Sequence, residues 1–154
     1  MTTAANDTDG ADGAAAARLA TDFFAAVGRG DVEGAMRAVA PDATVVIHPT
    51  GQRGGPEAVR GFFTEALAAF PDLLIKVSSC RGCSDGRALV ELSFEGTQAA
   101  DFLGAINQEK HLDIEQAWVL ATDGAAITGV TGYWDQNRLY RRLAVKRLDQ
   151  IAIA

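Results

Sequence analysis

The order of periodic patterns constrains the fold of this chain more than any other feature. Helical patterns fill most of the first half, around a single strand pattern, and the second half holds four strand patterns in succession. Two of the turns between these strands contain the pairs Asp85-Gly86 and Asp123-Gly124, which favour β-hairpins. Helices segregated from a run of antiparallel strands are typical of an α+β fold, in which helices cover one face of the sheet.

The separate segments have the local signals of helix and strand. Residues 14–28 predict a first helix, Asp31 is placed to cap a short second helix, and Pro56 suits the first position of a third. Residues 52–55 predict a loop, and 136–143 predict a brief helical turn. β-Branched runs and breaker residues predict strands at 43–48, 73–80, 87–96, 111–121 and 126–135.

Length and charge restrict the class of protein. At 154 residues and 16.2 kDa the chain has the size of one domain, which we expect over residues 14–143. Its formal net charge of −6 argues against nucleic acid and anionic membranes as partners, because both require a basic surface. No apolar run approaches the roughly 18 residues that a membrane span needs, so no membrane partner is expected.

Both ends of the chain are expected to lie outside this domain. Residues 1–13 are rich in Thr, Asn, Asp, Gly and Ala, which predicts a mobile tail. The same residues lack the positive and apolar regions of a secretory signal, so we expect a cytoplasmic protein. Residues 144–154 predict a C-terminal segment that lies over the sheet or a partner.

The sequence indicates no metal and no cofactor. Cys80 and Cys83 have the spacing of a zinc or redox pair, but a structural zinc site needs four ligands and no second pair is present. We therefore expect free thiols at both positions. No glycine-rich phosphate loop or nucleotide fingerprint occurs either.

A series of short motifs gives the chain a family resemblance. The motifs, in order, are Gly30-Asp31, Ala40–Val45, Thr50–Gly55, Glu57–Phe63, Phe70-Pro71-Asp72, Phe94–Thr97, Asp101–Gly104 and Tyr133–Asp135. Over roughly residues 17–143 the chain resembles the SnoaL-like polyketide cyclases of the nuclear-transport-factor-like superfamily, which includes ketosteroid isomerase. The resemblance implies a homodimer and a cone-shaped, curved, mixed or antiparallel sheet, with N-terminal helices packed on its concave face to enclose a hydrophobic pocket.

The resemblance also implies acid–base catalysis by a carboxyl group at the end of the last strand. In these cyclases an Asp near that strand end promotes an intramolecular aldol closure, and Asp135 is the matching residue. Such a carboxyl group takes a proton next to one carbonyl and returns a proton to the oxygen of another. The alternative role for Asp135 is the N-cap of the helical turn at 136–143, and the two roles are compatible.

His48 ends the first strand, directly before Pro49. At the corresponding strand end ketosteroid isomerase has the Asp that moves the proton, and here an imidazole, which titrates near neutral pH, takes its place. We therefore predict that His48 is the catalytic partner of Asp135 or positions the substrate. The alternative is a half-buried histidine bonded to the backbone.

His111, Asp113 and Glu115 alternate along one predicted strand and therefore share one face. If that face lines the pocket, Glu115 matches the protonated carboxylic acid with which ketosteroid isomerase binds an oxyanion. If the face is turned to solvent, the three residues form a hydrated stripe and the alternate residues point inward. Alternation alone leaves both orientations open.

Aromatic residues are predicted to contact the substrate. Phe23 stands where ketosteroid isomerase has its catalytic tyrosine, and the missing hydroxyl disfavours steroid isomerisation. Phe23 is still predicted to contact the substrate. A flat polycyclic compound would stack on the rings of Phe62, Phe63, Phe70, Trp118, Tyr133 and Trp134. The alternative places these rings in the hydrophobic core.

The combined interpretation is a cofactor-independent acid–base enzyme of secondary metabolism. We expect it to act on a small hydrophobic or aromatic carbonyl compound, with cyclisation of a polyketide-type intermediate as the first hypothesis. Isomerisation, hydroxylation and epoxide or lactone hydrolysis are alternatives on the same fold. A non-catalytic domain for small-molecule binding or dimerisation is the alternative from another functional class.

Overall fold

Four helices and six strands follow one another in the computed structural model, which describes residues 10–145. The helices are α1 (Gly10–Gly28), α2 (Val32–Met36), α3 (Pro56–Ala69) and α4 (Gln136–Arg142). The strands are β1 (Val39–Ile47), β2 (Gln52–Gly54), β3 (Leu74–Gly82), β4 (Arg87–Thr97), β5 (His111–Thr122) and β6 (Ile127–Tyr133).

The six strands form one sheet in the order β2-β1-β6-β5-β4-β3. Strands β3, β4, β5 and β6 pair antiparallel in succession. The two Asp-Gly turns predicted the β3–β4 and β5–β6 hairpins. Strand β1 instead lies parallel to β6. The sheet is open, because β2 and β3 are its two edges. The predicted α+β class with a mixed sheet is confirmed.

The helices cover one face of this sheet, here called the inner face. Helix α1 packs on β3, β4 and β5, and α3 packs on β1 and β2. Along β4 and β5 buried residues alternate with exposed or half-buried ones, so each strand has one buried side and one accessible side. None of the helices between Gly10 and Val145 combines the length and the apolar character needed to cross a membrane.

Helix α1 begins at Gly10, so the predicted boundary between tail and helix at residue 14 is wrong. The reason is a tertiary contact between two backbones: Gly13, in the first turn of α1, is buried against Gly82 at the end of β3. A Cβ atom on Gly13 would lie 2.9 Å from the Gly82 carbonyl oxygen. Residues 1–9 of the predicted tail and 146–154 of the predicted C-terminal segment lie outside the described residues.

The predicted starts of α2 and α3 are confirmed, but the strand predicted at 43–48 begins earlier, at Val39, because Val39 pairs with Ile127 of β6. The Asp31 carboxylate caps α2 by accepting from Gly34 N at 2.8 Å, and Pro56 is the first residue of α3. The loop predicted at 52–55 is wrong, because β2 pairs antiparallel with the end of β1. Backbone pairing with a neighbouring strand extends the sheet there without any local strand propensity.

Candidate functional site

Asp135 follows β6 directly and caps α4. Its Oδ1 atom accepts a hydrogen bond from Arg138 N at 3.1 Å, and the residue is exposed. The capping role that the sequence left open is therefore present in the structure. Its role as an acid or base stays a prediction.

His48 lies beside Tyr133 at the same end of the sheet. Strands β1 and β6 are parallel and end together, and the His48 backbone N–H donates to the Gly132 carbonyl at 3.1 Å. The imidazole stacks on the Tyr133 ring with centroids 4.7 Å apart and planes 16° apart. The structure thus brings His48, Tyr133 and Asp135 to one strand end, with the two stacked rings on the face opposite the helices.

A groove of about 710 Å³ crosses four strands on this opposite face, here called the outer face. The groove is lined by three consecutive residues from each of β3, β4 and β5 and by residues 133–135 at the end of β6. No residue of α1, α2 or α3 lines it. Three predicted site residues, Glu115, Tyr133 and Asp135, are in its lining. The other lining residues are Lys76, Val77, Ser78, Glu91, Leu92, Ser93, Gln116, Ala117 and Trp134.

The charged side chains on this face are exposed or half-buried, and two of the carboxylates pair with neighbours. Lys76 Nζ lies 2.8 Å from Glu95 Oε2, and this hydrogen-bonded ion pair raises the pKa of Lys76. Ser79 donates to the Glu91 carboxylate at 2.9 Å.

His111, Asp113 and Glu115 lie on the outer face and are exposed. The structure therefore has the solvent-facing stripe, and Glu115 is exposed rather than buried. The cause is the phase of β5, which turns the alternate residues Leu112, Ile114 and Gln116 inward. Contact of Glu115 with a substrate stays a prediction.

The predicted wall residues Phe23, Phe63 and Trp118 are fully buried between helices and sheet. Phe63 contacts Phe23 edge-to-face at 5.8 Å and Trp118 at 5.4 Å between ring centroids. Phe62 and Trp134 join the same cluster, with their rings stacked at 5.3 Å. The hollow that we expected inside the cone is therefore occupied by these rings in this structure, and their contact with a substrate stays a prediction.

Gln116 is a polar residue in this aromatic interior that the sequence analysis did not select. Its side chain points inward, the residue is 5% exposed, and its Oε1 accepts from Trp118 Nε1 at 2.8 Å. Its Nε2 is buried and has no hydrogen-bond partner among residues 10–145. A buried polar group without a partner costs about 1–3 kcal/mol, so this amide is a candidate ligand contact.

A sequence signal for Gln116 did exist. The three polar residues His111, Asp113 and Glu115 have odd numbers, and Gln116 shares the even phase of Leu112 and Trp118. Had the polar stripe been placed on the outside, Gln116 would have been the one polar residue of that inward series. The alternation of polar and apolar residues along β5 shows which residues share a face, but it does not show which face is turned toward the helices.

The cysteines do not form a reactive pair. Both thiols are free, and Cys80 is buried against α1, where its Sγ accepts from the Thr21 hydroxyl at 3.6 Å. Burial raises the pKa of the Cys80 thiol, which disfavours the reactive thiolate. Within the described range no group of three or more His, Cys, Asp or Glu side chains is placed to hold a metal ion.

Comparisons with known proteins agree with the fold described above. The model of a family described as the SnoaL-like domain matches residues 20–133. No functionally curated protein shows a match to this chain.

Solved structures share the fold at low sequence identity. A proposed SnoaL-like polyketide cyclase from Jannaschia sp. CCS1 has a TM-score of 0.75 and 15% identity, covering 86% of this chain and 94% of its own. AclR, a proposed hydroxylase from Streptomyces galilaeus, has a TM-score of 0.73 and 19% identity, with coverages of 84% and 85%. A hypothetical protein with a ketosteroid isomerase-like fold from Catenulispora acidiphila DSM 44928 has a TM-score of 0.68 and 20% identity, with coverages of 82% and 92%. At these identities the likeness concerns the fold alone.

Proposed function

Because this chain belongs to the SnoaL-like domain family, we propose that it is a cofactor-independent acid–base enzyme for a hydrophobic carbonyl compound. Cyclisation of a polyketide-type intermediate is the reaction that we favour. The proposal places the carbonyl compound in the aromatic interior, with Gln116 as the donor to its oxygen and Asp135 as the acid and base.

The observation that carries this proposal is the Gln116 amide. Its Nε2 has no partner within the described residues, and it lies beside the indole of Trp118, which is itself surrounded by aromatic rings. A carbonyl oxygen of a flat aromatic compound would accept this hydrogen bond while its rings pack on the apolar surroundings. The same donor would stabilise the enolate oxygen that forms when a neighbouring C–H loses its proton.

Asp135 is suited to move that proton because of its neighbour Trp134. The Trp134 ring contacts both Trp118 and Phe62, at 6.1 Å and 5.3 Å between centroids, and Asp135 directly follows Trp134 in the chain. A ligand bound against this cluster would exclude water from the carboxylate, which favours direct proton transfer between ligand and carboxylate. One carboxyl group would then accept the α proton and later protonate the attacked carbonyl oxygen. His48 stacks on Tyr133 on the outer face, so its role as the partner of Asp135 stays a prediction that this binding mode does not use.

Proton exchange gives a test that does not require the natural substrate. We expect the protein to catalyse deuterium incorporation next to the carbonyl of 2-tetralone in D₂O, measured by NMR. Replacing Gln116 by methionine removes the donor at similar volume, and we expect the exchange rate to fall by roughly 10²–10³, the usual loss for one oxyanion donor.

Thermal unfolding of Gln116→Met is the control for this experiment. The substitution removes a buried amide but also deprives Trp118 Nε1 of its acceptor, so we expect only a small change in melting temperature. Exchange that persists at the wild-type rate in a folded Gln116→Met protein would contradict the role of Gln116.

A non-catalytic binding domain is the second candidate function. It is favoured by the capping role of Asp135 and by the filled interior. The same assay separates the two candidates, because a binding domain would take up the ketone, as seen by a raised melting temperature, without accelerating exchange.

We also propose a homodimer formed through the outer face. The registers of β4, β5, β6 and β1 place Leu89, Val119, Thr131 and Val46 in one row across that face, and Leu89 is 42% exposed. A second copy is the favoured occupant because a row that crosses the centre of the sheet can pair with itself about a twofold axis.

Light scattering tests this proposal. We expect a mass of about twice 16.2 kDa, and we expect Leu89→Arg to give the monomer mass by burying an unpaired charge in the interface. Ile106→Arg is the matched control, since Ile106 is equally exposed but lies in the loop after β4. A wild-type monomer, or a dimer that survives Leu89→Arg, would contradict this interface.

A further inference from the structure

Backbone strain is concentrated at one end of the molecule. Within residues 10–145, three non-glycine residues have left-handed φ angles: Leu103 at 49°, Glu109 at 56° and Ala144 at 63°. Leu103 and Glu109 lie in the connection 98–110, and Ala144 directly follows the C-cap of α4. Such conformations cost about 1–2 kcal/mol for residues with a Cβ atom and tend to cluster at moving or ligand-binding segments.

Side chains tie these two segments to each other. The Tyr140 hydroxyl donates to the Leu103 carbonyl at 3.0 Å, and Gln108 Nε2 donates to the carbonyls of Leu143 and Ala144 at 3.3 and 3.1 Å. From α3, Glu65 accepts from Leu103 N at 2.8 Å. These hydrogen bonds fix the strained residues in one arrangement of the two segments.

The two segments cover the part of the inner face that the sheet leaves open. Strand β6 ends opposite Ala117, so residues 111–116 of β5 extend beyond it, and α4 packs against β5 there. Leu139 and Leu143 of this covering layer are fully buried, and Phe102 of the 98–110 connection contacts Phe62 at 6.1 Å. Gln116 lies in this same stretch of β5.

Trp134 joins the covering layer to the aromatic cluster. It is partly buried and stacks on Phe62, with planes 28° apart, yet its indole N–H donates to the nearby Gln136 at 2.7 Å. The ring can therefore move with α4 without losing its hydrogen bond. Its departure would expose one face of Phe62 and the edge of Trp118 while leaving the Gln116 amide in place.

We propose that 98–110 and Trp134–Ala144 form a lid, and that the Trp134 ring occupies the position that a flat aromatic ring of the substrate takes when the lid opens. This inference rests on the proposed function and deepens it, because it assigns the substrate class: a planar aromatic system that replaces an indole on Phe62, with a carbonyl within reach of Gln116. The strain stored at Leu103, Glu109 and Ala144 offsets part of the cost of exposing the buried lid residues when the lid opens. A ligand then stabilises the open state by its greater affinity for it.

Ala144→Gly tests the lid because it removes strain from the closed state alone. Glycine adopts a left-handed φ without penalty and is the preferred residue directly after a helix C-cap. We expect slower amide hydrogen exchange in 98–110 and α4, and an affinity for 9-fluorenone that is lower by about fivefold, because the binding-competent fraction falls. Affinity is measured by quenching of tryptophan fluorescence.

Gly61→Ala is the matched control. Gly61 lies in the middle of α3, and a Cβ atom there would meet nothing within 4 Å. Alanine in an exposed helix interior stabilises by about 1 kcal/mol relative to glycine. We expect both variants to raise the melting temperature, but only Ala144→Gly to slow exchange in the lid and to weaken binding.

A second readout follows the Trp134 ring directly. In a Trp118→Phe background Trp134 is the remaining tryptophan, and we expect 9-fluorenone to shift its emission to the red as the ring enters water. The lid proposal is contradicted if Ala144→Gly and Gly61→Ala change hydrogen exchange in the lid and 9-fluorenone affinity equally. It is also contradicted if the Trp134 emission wavelength does not change on binding. A wild-type protein that neither binds 9-fluorenone nor exchanges 2-tetralone would instead overturn the proposed function, while the hydrogen-exchange comparison still reports on the lid.

Discussion

Replacing Asp135 by asparagine is expected to abolish deuterium exchange into 2-tetralone while leaving the fold intact. Asparagine is as good an N-cap as aspartate, so its Oδ1 can still accept from Arg138 N. The amide cannot take up or release the proton that the reaction requires. General acid–base catalysis contributes typically 10²–10⁴, so we expect the rate measured by NMR to fall by at least about 100-fold.

Asp135→Ala separates the two roles of this residue. Loss of an N-cap costs about 1 kcal/mol, so we expect this variant to lose both exchange activity and stability, whereas Asp135→Asn loses activity alone. Thermal unfolding of the two variants beside the wild type shows the difference. Wild-type activity in Asp135→Asn would leave Asp135 with the cap as its sole function and would favour the binding-domain candidate.

The elements of the fold could be predicted because their signals are local. Asp31 and Pro56 mark helix starts through hydrogen bonds and backbone angles within one turn, and Asp-Gly pairs fix hairpins within four residues. The start of α1 at Gly10 could not be predicted, since it depends on the contact between Gly13 and Gly82, far apart in sequence. The short strand β2 was missed for the same reason.

The candidate site was harder to predict than the fold. It depends on which face of β5 is turned inward and on whether the aromatic rings line or fill the interior. Strand periodicity placed His111, Asp113 and Glu115 on one face but could not choose inside from outside, so Gln116 was not selected. The aromatic residues were recognised, but whether rings line a cavity or fill it depends on the packing of helix on sheet. Asp135 fits both a cap and a catalytic group, since the same carboxylate serves either purpose.

The second large effect is expected from Gly132→Ala, in the interior of β6. Gly132 pairs with Trp118 across β5 and β6, and a Cβ atom on it would lie 2.7 Å from two carbons of the Trp118 six-membered ring. That ring is fully buried among Phe24, Phe62 and Phe63 and cannot retreat without displacing them. Overpacking of this kind costs about 1–3 kcal/mol, so we expect the free energy of unfolding in urea to fall by that amount.

A double-mutant cycle shows whether the indole is the cause. Phenylalanine at position 118 has a shorter ring system, so we expect Gly132→Ala to cost at least about 1 kcal/mol less in a Trp118→Phe background than in the wild type. Gly54→Ala, in strand β2, is the matched control, because its Cβ atom would meet Ala58 at an ordinary 3.6 Å. Equal costs in both backgrounds would mean that the clash with Trp118 is not what excludes a side chain at 132. The predicted coupling matters for the site as well, since tilting the indole would stretch the 2.8 Å bond from Trp118 Nε1 and release the Gln116 amide from its fixed position.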